Sequence, residues 1–239
     1  MTHYITINHH HGLIACFSPK CACTTLRNWF KHTLSAQDIE NWQRVEKHTT
    51  WPGDIDNYPD YTRIFFIRDP FRRLVSFYCH WVVRDDRNWC FADNQKNYSL
   101  REKSFSDFIH TLEELSGRGI DFQHHLKPQM RNVEGVAFDL VVAVEDLRAQ
   151  LRLINQELGI DYAVKELNAT SYDEAMTAFV YDAAPESLAQ NGFPMPQYFY
   201  NPELIKKVER FYRDDLECYR EFHEEQALFE RHDCAQEPA

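Results

Sequence analysis

Residues 62–78 read TRIFFIRDPFRRLVSFY, and this stretch decides the predicted fold. Its first part, Thr62–Ile67, is rich in β-branched and aromatic residues, as expected of a buried strand. Asp69 and Pro70 then supply an N-cap and a first-turn proline, after which apolar residues recur at helical spacing. The stretch therefore predicts a strand, a short loop and a helix.

Two further stretches repeat this order of strand, loop and helix. Gly12–Phe17 is an apolar run, and apolar residues recur at helical spacing over Thr24–Leu34. Phe138–Val144 is a third apolar run, after which Glu145 opens an amphipathic helix that Gly159 can end. Strands that are continuously apolar and alternate with helices belong to a parallel sheet covered on both faces. We therefore predict an α/β fold in which helices flank a central parallel sheet.

The other segments complete one predicted domain over residues 1–239. Arg84–Lys103 is polar and aperiodic, and we interpret it as a surface loop at the acceptor entrance. Ser104–Leu115 is predicted to be a short helix, and Ala183–Pro202, with four prolines, to be irregular. Glu203–Phe229 is predicted to be a long C-terminal helix.

Composition excludes several classes of function. The chain has 26 Lys and Arg against 37 Asp and Glu, a formal net charge of −11, which argues against non-specific nucleic-acid binding. No apolar run reaches the roughly 18 residues of a membrane span, and the polar beginning of the chain does not resemble a signal peptide. We therefore expect a cytoplasmic protein whose seven cysteines are thiols. The sequence leaves the oligomeric state open.

The loop FSPKCACTT, residues 17–25, is the first candidate binding element. Residues 1–37 contain no acid, and at a helix N-terminus the backbone N–H groups and the helix dipole attract an oxyanion, to which Lys20 adds a positive charge. Because Gly-x-x-x-x-Gly-Lys-[Ser/Thr] is absent, an ordinary ATP or GTP site is disfavoured. The alternative is a surface turn with a capping threonine. The candidate ligands are Pro19, Lys20, Cys21, Ala22, Cys23, Thr24 and Thr25.

The second candidate element follows Thr62–Ile67. Arg68 lies at the carboxyl end of this strand, where ligands bind in open α/β sheets, and its guanidinium can fork onto a phosphate. Ser76, two turns into the helix, offers a hydroxyl. The alternative is a salt-bridged arginine and a packed serine. Two anion loops at strand ends predict a ligand with two separate anionic groups.

The two loops together resemble the carbohydrate O-sulfotransferases of sulfotransferase family 2, which use 3′-phosphoadenosine 5′-phosphosulfate (PAPS). Eleven consecutive positions, Arg68–Tyr78, fit the family pattern, with Arg72 as the main departure from an acidic residue usual there. His125–Gln129 resembles the His-aromatic-x-Pro-Gln element of the family, with Leu126 in place of the aromatic residue. The resemblance covers about residues 12–147, and more loosely the C-terminal helix.

This resemblance implies a P-loop-like sulfotransferase fold and transfer of a sulfuryl group from PAPS to a hydroxyl. The first loop would grip the 5′-phosphosulfate, and Arg68 with Ser76 would grip the 3′-phosphate. The implied product is 3′-phosphoadenosine 5′-phosphate (PAP), and the implied acceptor is a glycan or another hydroxyl compound. We expect no metal, because the adjacent His9, His10 and His11 do not readily face one ion from a strand.

Sulfuryl transfer needs a base for the acceptor proton and positive charge on the departing phosphate oxygen. Lys20 is the candidate for the second task. His48 is the first candidate for the base, because it lies 20 residues before Arg68 and resembles in spacing the catalytic histidine of several sulfotransferases. The alternatives are His125 and its neighbour His124, or an uninvolved loop histidine at position 48.

Two other functions remain open on the sequence alone. Cys21-x5-Arg27 fits the Cys-x5-Arg signature of cysteine-dependent phosphatases, in which a thiolate attacks phosphorus. A non-catalytic domain that binds PAP or another nucleotide, and presents its acidic C-terminal helix to a partner, is the second alternative.

Overall fold

A computed structural model describes residues 4–33, 52–84, 100, 102–117, 125–165 and 170–222. The strands are β1 (Tyr4–Asn8), β2 (Leu13–Phe17), β3 (Thr62–Ile67) and β4 (Leu140–Ala143). The α-helices are α1 (Cys23–Thr33), α2 (Pro70–Phe77), α3 (Phe105–Gly117), α4 (Leu147–Glu157), α5 (Pro185–Asn191) and α6 (Pro202–Phe211), with a further helical segment over residues 213–222. Short helical turns are Pro52–Asn57, Tyr78–Val83, Met130–Asn132, Val144–Asp146 and Pro196–Phe199.

The four strands form one sheet in the order β1-β2-β3-β4. β2 pairs with β3 and β3 with β4 in parallel, so the α/β fold with helices around a mostly parallel sheet is confirmed. β1 pairs antiparallel to β2 at the edge, and the sequence analysis missed it, although Tyr4–Ile7 has the aromatic and β-branched residues typical of a strand. The carboxyl ends of β2, β3 and β4 consequently lie along one edge of the sheet.

Helices α1 and α4 cover one face of the sheet. Trp29 and Phe30 of α1 are buried against Phe66 of β3 and Leu151 of α4, and Trp29 Nε1 donates to Asn155 Oδ1 at 2.8 Å. These apolar positions recur at the three- and four-residue spacing that the sequence showed.

Asp69 begins α2 in the predicted way. Its Oδ1 accepts the N–H of Phe71 at 2.7 Å, and Pro70 occupies the first helical turn. On the opposite face of the sheet from α1, Phe65 and Ile67 pack in a cluster that includes Tyr219 of the segment 213–222. Among the described residues, no helix is both long enough and apolar enough to cross a bilayer.

Two predicted elements are wrong in detail. The C-terminal helix is not continuous, because α6 ends at Phe211 and Tyr212, whose hydroxyl donates to Leu126 O at 2.6 Å, has non-helical backbone angles. The segment predicted to be irregular, Ala183–Pro202, contains α5, since a proline fits the first turn of a helix. Most of the predicted entrance loop and the end of the predicted C-terminal helix lie outside the described residues.

Candidate active site

A cavity of about 520 Å³ opens at the carboxyl edge of the three parallel strands. Residues that follow β2, β3 and β4 contribute to its wall, among them Lys20, Arg68 and Glu145. Nine of the residues predicted from the sequence line it: Pro19, Lys20, Ala22, Cys23, Thr24, Thr25, Arg68, Ser76 and His125. Cys21 does not line it, while His48 and His124 lie outside the described residues.

The loop after β2 adopts a strained conformation. Lys20 has φ 68° and Ala22 has φ 52°, both in the left-handed region, which costs a residue other than glycine about 1–3 kcal/mol. The N–H of Cys21 donates to Ser18 O at 3.2 Å, so this amide takes part in a hydrogen bond inside the loop. At the start of α1, Leu26 N–H donates to Ala22 O at 3.0 Å. Residues 23–25 form the first turn of α1, the end of a helix at which an anion is favoured.

Two arginines hold this loop through its carbonyl groups. Arg68 Nη1 donates to Lys20 O at 2.7 Å. Arg73, only 1% exposed, donates from Nε to Pro19 O at 3.1 Å. Its remaining nitrogens donate to the carbonyls of Lys127 and His125 at 2.9 and 3.0 Å. The guanidinium of Arg73 thus joins the loop after β2 to the segment that carries His125.

Gln129 is buried between the two anion loops and contacts both. Its Nε2 donates to Arg68 O at 2.8 Å, and its Oε1 accepts from Arg68 N–H at 3.0 Å and from the thiol of Cys21 at 2.9 Å. Asp215, from the segment 213–222, accepts the backbone N–H groups of Gln129 and Met130 at 2.8 Å each. Burial raises the pKa of Asp215, against the charge of Arg73. These hydrogen bonds hold the segment 213–222 against the site.

The thiol of Cys21 is unsuited to nucleophilic catalysis. Its side chain is fully buried and bonded to Gln129, and burial raises the pKa of the thiol to about 12. A cysteine-dependent phosphatase requires a thiolate that reaches its substrate. The structure therefore does not support the phosphatase alternative.

The cavity is electrostatically suited to anions. Lys20, Arg27, Arg68 and Arg72 line it, and Glu145 is the one carboxylate that does so among the residues described. Burial, followed by the like charge of Arg68, lowers the pKa of Lys20 to about 8. Burial also raises the pKa of Glu145, an effect opposed by Arg68, whose Nε lies 3.7 Å from Glu145 Oε1. The side-chain chemistry thus fits a ligand with several negative charges.

A polar stripe that the sequence analysis missed runs along α2 into the π-helical turn Tyr78–Val83. Arg72, Ser76 and His80 succeed one another at intervals of four residues, and all three line the cavity. The four-residue spacing from Ser76 to His80 in the sequence could have indicated that His80 lies on the same helix face. Trp81 also lines the cavity, with its ring centroid 5.5 Å from that of His125. In the parts of the chain described, no group of three or more His, Cys, Asp or Glu side chains is arranged to hold a metal ion.

Replacement of Cys21 tests its assignment as a structural residue. We expect Cys21→Ser to keep the thermal stability of the wild type, because a hydroxyl can still donate to Gln129, whereas Cys21→Ala loses a hydrogen bond worth about 1 kcal/mol. Thermal melting and hydrolysis of p-nitrophenyl phosphate are the measurements. A wild-type protein that hydrolyses this ester, and loses the activity on Cys21→Ser, contradicts the assignment.

Comparison with known proteins agrees with these features. A family model described as the sulfotransferase family matches residues 3–222, a span that includes both anion loops, Gln129 and Asp215. No curated protein and no solved structure gives a significant match. The matched span covers nearly the whole sequence. The chain therefore belongs to the sulfotransferase family.

Proposed function

We propose that the protein transfers a sulfuryl group from PAPS to a hydroxyl group, with a carbohydrate as the acceptor. One observation carries the choice of donor: the Lys20 loop and the Arg68–Ser76 element line a single cavity. PAPS carries two anionic groups, a 5′-phosphosulfate and a 3′-phosphate, and so matches a cavity with two anion-binding elements. The carbohydrate class of the acceptor rests on the resemblance to the carbohydrate O-sulfotransferases.

The two elements divide the binding of the donor between them. Lys20 and the start of α1 are suited to the 5′-phosphosulfate, because the helix N-terminus carries a partial positive charge and Lys20 adds a full one. Arg68 and Ser76 are suited to the 3′-phosphate, to which a guanidinium and a hydroxyl both donate. The arrangement needs no metal ion to neutralise the phosphates, since Lys20, Arg27 and Arg72 also line the cavity.

In the reaction, the S–O bond to the 5′-phosphate breaks, an S–O bond to the acceptor oxygen forms, and the acceptor proton leaves. Lys20 stabilises the negative charge that builds on the phosphate oxygen. A histidine takes the acceptor proton, a role that suits an imidazole with an ordinary pKa of about 6.5. His125 fits this role because it lines the cavity and because its backbone carbonyl accepts a hydrogen bond from Arg73. His48 remains the other candidate.

Binding of PAP, compared with adenosine 5′-monophosphate (AMP), tests the choice of donor. We expect the wild type to bind PAP at least 10-fold more tightly than AMP, because AMP lacks the 3′-phosphate. Arg68→Ala should remove most of this preference, since a charge-assisted hydrogen bond contributes about 1.5–3 kcal/mol. Isothermal titration calorimetry is the measurement, with Arg152→Ala on the exposed side of α4 as control. Equal affinity of the wild type for the two nucleotides contradicts the proposal.

The lowered pKa of Lys20 predicts how donor affinity depends on pH. Only the protonated amine attracts the phosphosulfate, so affinity is lost as pH rises through the pKa of about 8. For a group with this pKa, the charged fraction falls about five-fold between pH 8 and pH 9. We expect PAP affinity to fall by about the same factor. Lys20→Arg, which stays charged, should flatten the profile. A wild-type affinity that is constant from pH 7 to pH 9.5 contradicts this role.

The identity of the base is tested by comparing His125→Ala with His48→Ala. The variant that lacks the base should lose about 10²–10⁴-fold in kcat and keep its affinity for PAP. Transfer of ³⁵S from labelled PAPS to a panel of neutral and acidic oligosaccharides is the assay, and His110→Ala on the exposed side of α3 is the control. Full kcat in both variants excludes both histidines as the base. If no oligosaccharide is labelled while PAP binds tightly, the carbohydrate acceptor is wrong.

A further inference from the structure

The guanidinium of Arg68 is already engaged within the protein. Its Nη1 donates to Lys20 O at 2.7 Å, and its Nε lies 3.7 Å from the carboxylate of Glu145. Glu145 is mostly buried and also accepts the hydroxyl of Tyr219 at 3.2 Å, so its position is fixed. Glu145 therefore offsets part of the positive charge that Arg68 offers to an incoming dianion. A second cation near Arg68 would strengthen the attraction for the 3′-phosphate.

Arg72 is a cation that lines the same cavity as Arg68. It lies in the first turn of α2, four residues before Ser76, and both residues line the cavity. Residues four apart lie on the same face of a helix, so Arg72 and Ser76 share the face of α2 that lines the cavity together with Arg68.

The positive charge of Arg72 does not stabilise α2. The N-terminus of a helix has a partial positive charge, and a cation in the first turn is consequently unfavourable. Lys and Arg belong instead in the last turn of a helix, where α2 has neither. A cation at this position is explained if its partner is an anion bound in the cavity.

Tyr172 lines the same cavity as Arg68 and Arg72. Burial raises the pKa of its hydroxyl to about 12, and the charges of Arg68 and Arg72 oppose that rise. The two guanidinium groups and the phenol thus belong to one cavity lining.

We propose that Arg72 binds the 3′-phosphate together with Arg68 and Ser76, and that it sets the preference for nucleotides with a phosphate at the 3′ position. This inference rests on the proposed function, because it concerns the same donor. Glu145 offsets the charge of Arg68 and orients its guanidinium, and Arg72 restores a net positive charge at the subsite. The ligand class is a nucleoside 3′,5′-bisphosphate, in contrast to a 5′-monophosphate.

The experiment is a comparison of PAP and AMP affinities across variants of Arg72. Calorimetry at about 150 mM salt would use wild type, Arg72→Ala, Arg72→Lys, Arg72→Glu and the control Arg152→Ala. We expect Arg72→Ala to weaken PAP binding about 10-fold or more and AMP binding less than two-fold. Arg72→Lys should recover part of the loss, and Arg72→Glu should lose more than Arg72→Ala. Thermal melting establishes that each variant is folded.

The possible results separate this inference from the proposed function. Equal losses of affinity for PAP and AMP on Arg72→Ala would mean that Arg72 attracts any anionic nucleotide and does not recognise the 3′-phosphate, which overturns the inference. Unchanged PAP affinity would also overturn it, and a raised acceptor KM in that variant would assign Arg72 to the acceptor. If the wild type itself shows no preference for PAP over AMP, the proposed donor is wrong. If the preference is present but insensitive to Arg72, only the inference fails.

Discussion

The hydrogen bonds of Arg73 and Gln129 fix the distance between the two anion loops, and the rest of the site depends on them. Burial of a guanidinium costs several kcal/mol unless its donors are satisfied, and here three backbone carbonyls accept from Arg73. Gln129 contacts Cys21 on one loop and both backbone polar groups of Arg68 on the other. Loss of either side chain should therefore disturb both loops, since Gln129 hydrogen-bonds to groups on both of them and Arg73, itself on the second, hydrogen-bonds to Pro19 on the first.

This network explains how the loop after β2 keeps left-handed backbone angles without glycine. Lys20 and Ala22 hold left-handed backbone angles that a P-loop ordinarily assigns to glycine. Arg68 and Arg73 hold the carbonyls of Lys20 and Pro19, which offsets the strain. In the proposed complex with the donor, Arg68 would have two tasks, since it shapes the Lys20 loop for the 5′ end and lines the wall proposed for the 3′ end. On this proposal, removal of Arg68 should weaken binding of both ends, and removal of Arg72 should weaken binding of the 3′ end alone.

Local chemistry made part of this structure predictable. Asp69 and Pro70 begin α2 as the sequence indicated, and the residues at strand ends meet at one cavity because parallel strands bring their carboxyl ends together. The bond between Gln129 and Asp215 joins residues 86 apart, and no periodicity reports such a contact. The hydrogen bond from the Tyr212 hydroxyl to Leu126 O at the helix break joins residues equally far apart. His48 lies outside the described residues, so its role rests on spacing alone.

The central claim is that one cavity binds both ends of a nucleoside 3′,5′-bisphosphate through two loops held by one buried network. A crystal structure of the protein with PAP tests this claim most directly. The account predicts the 5′-phosphate within hydrogen-bond distance of Lys20 and the first amides of α1, and the 3′-phosphate on Arg68 and Ser76. A nucleotide bound outside this cavity, or bound with its 3′-phosphate away from Arg68, would contradict it.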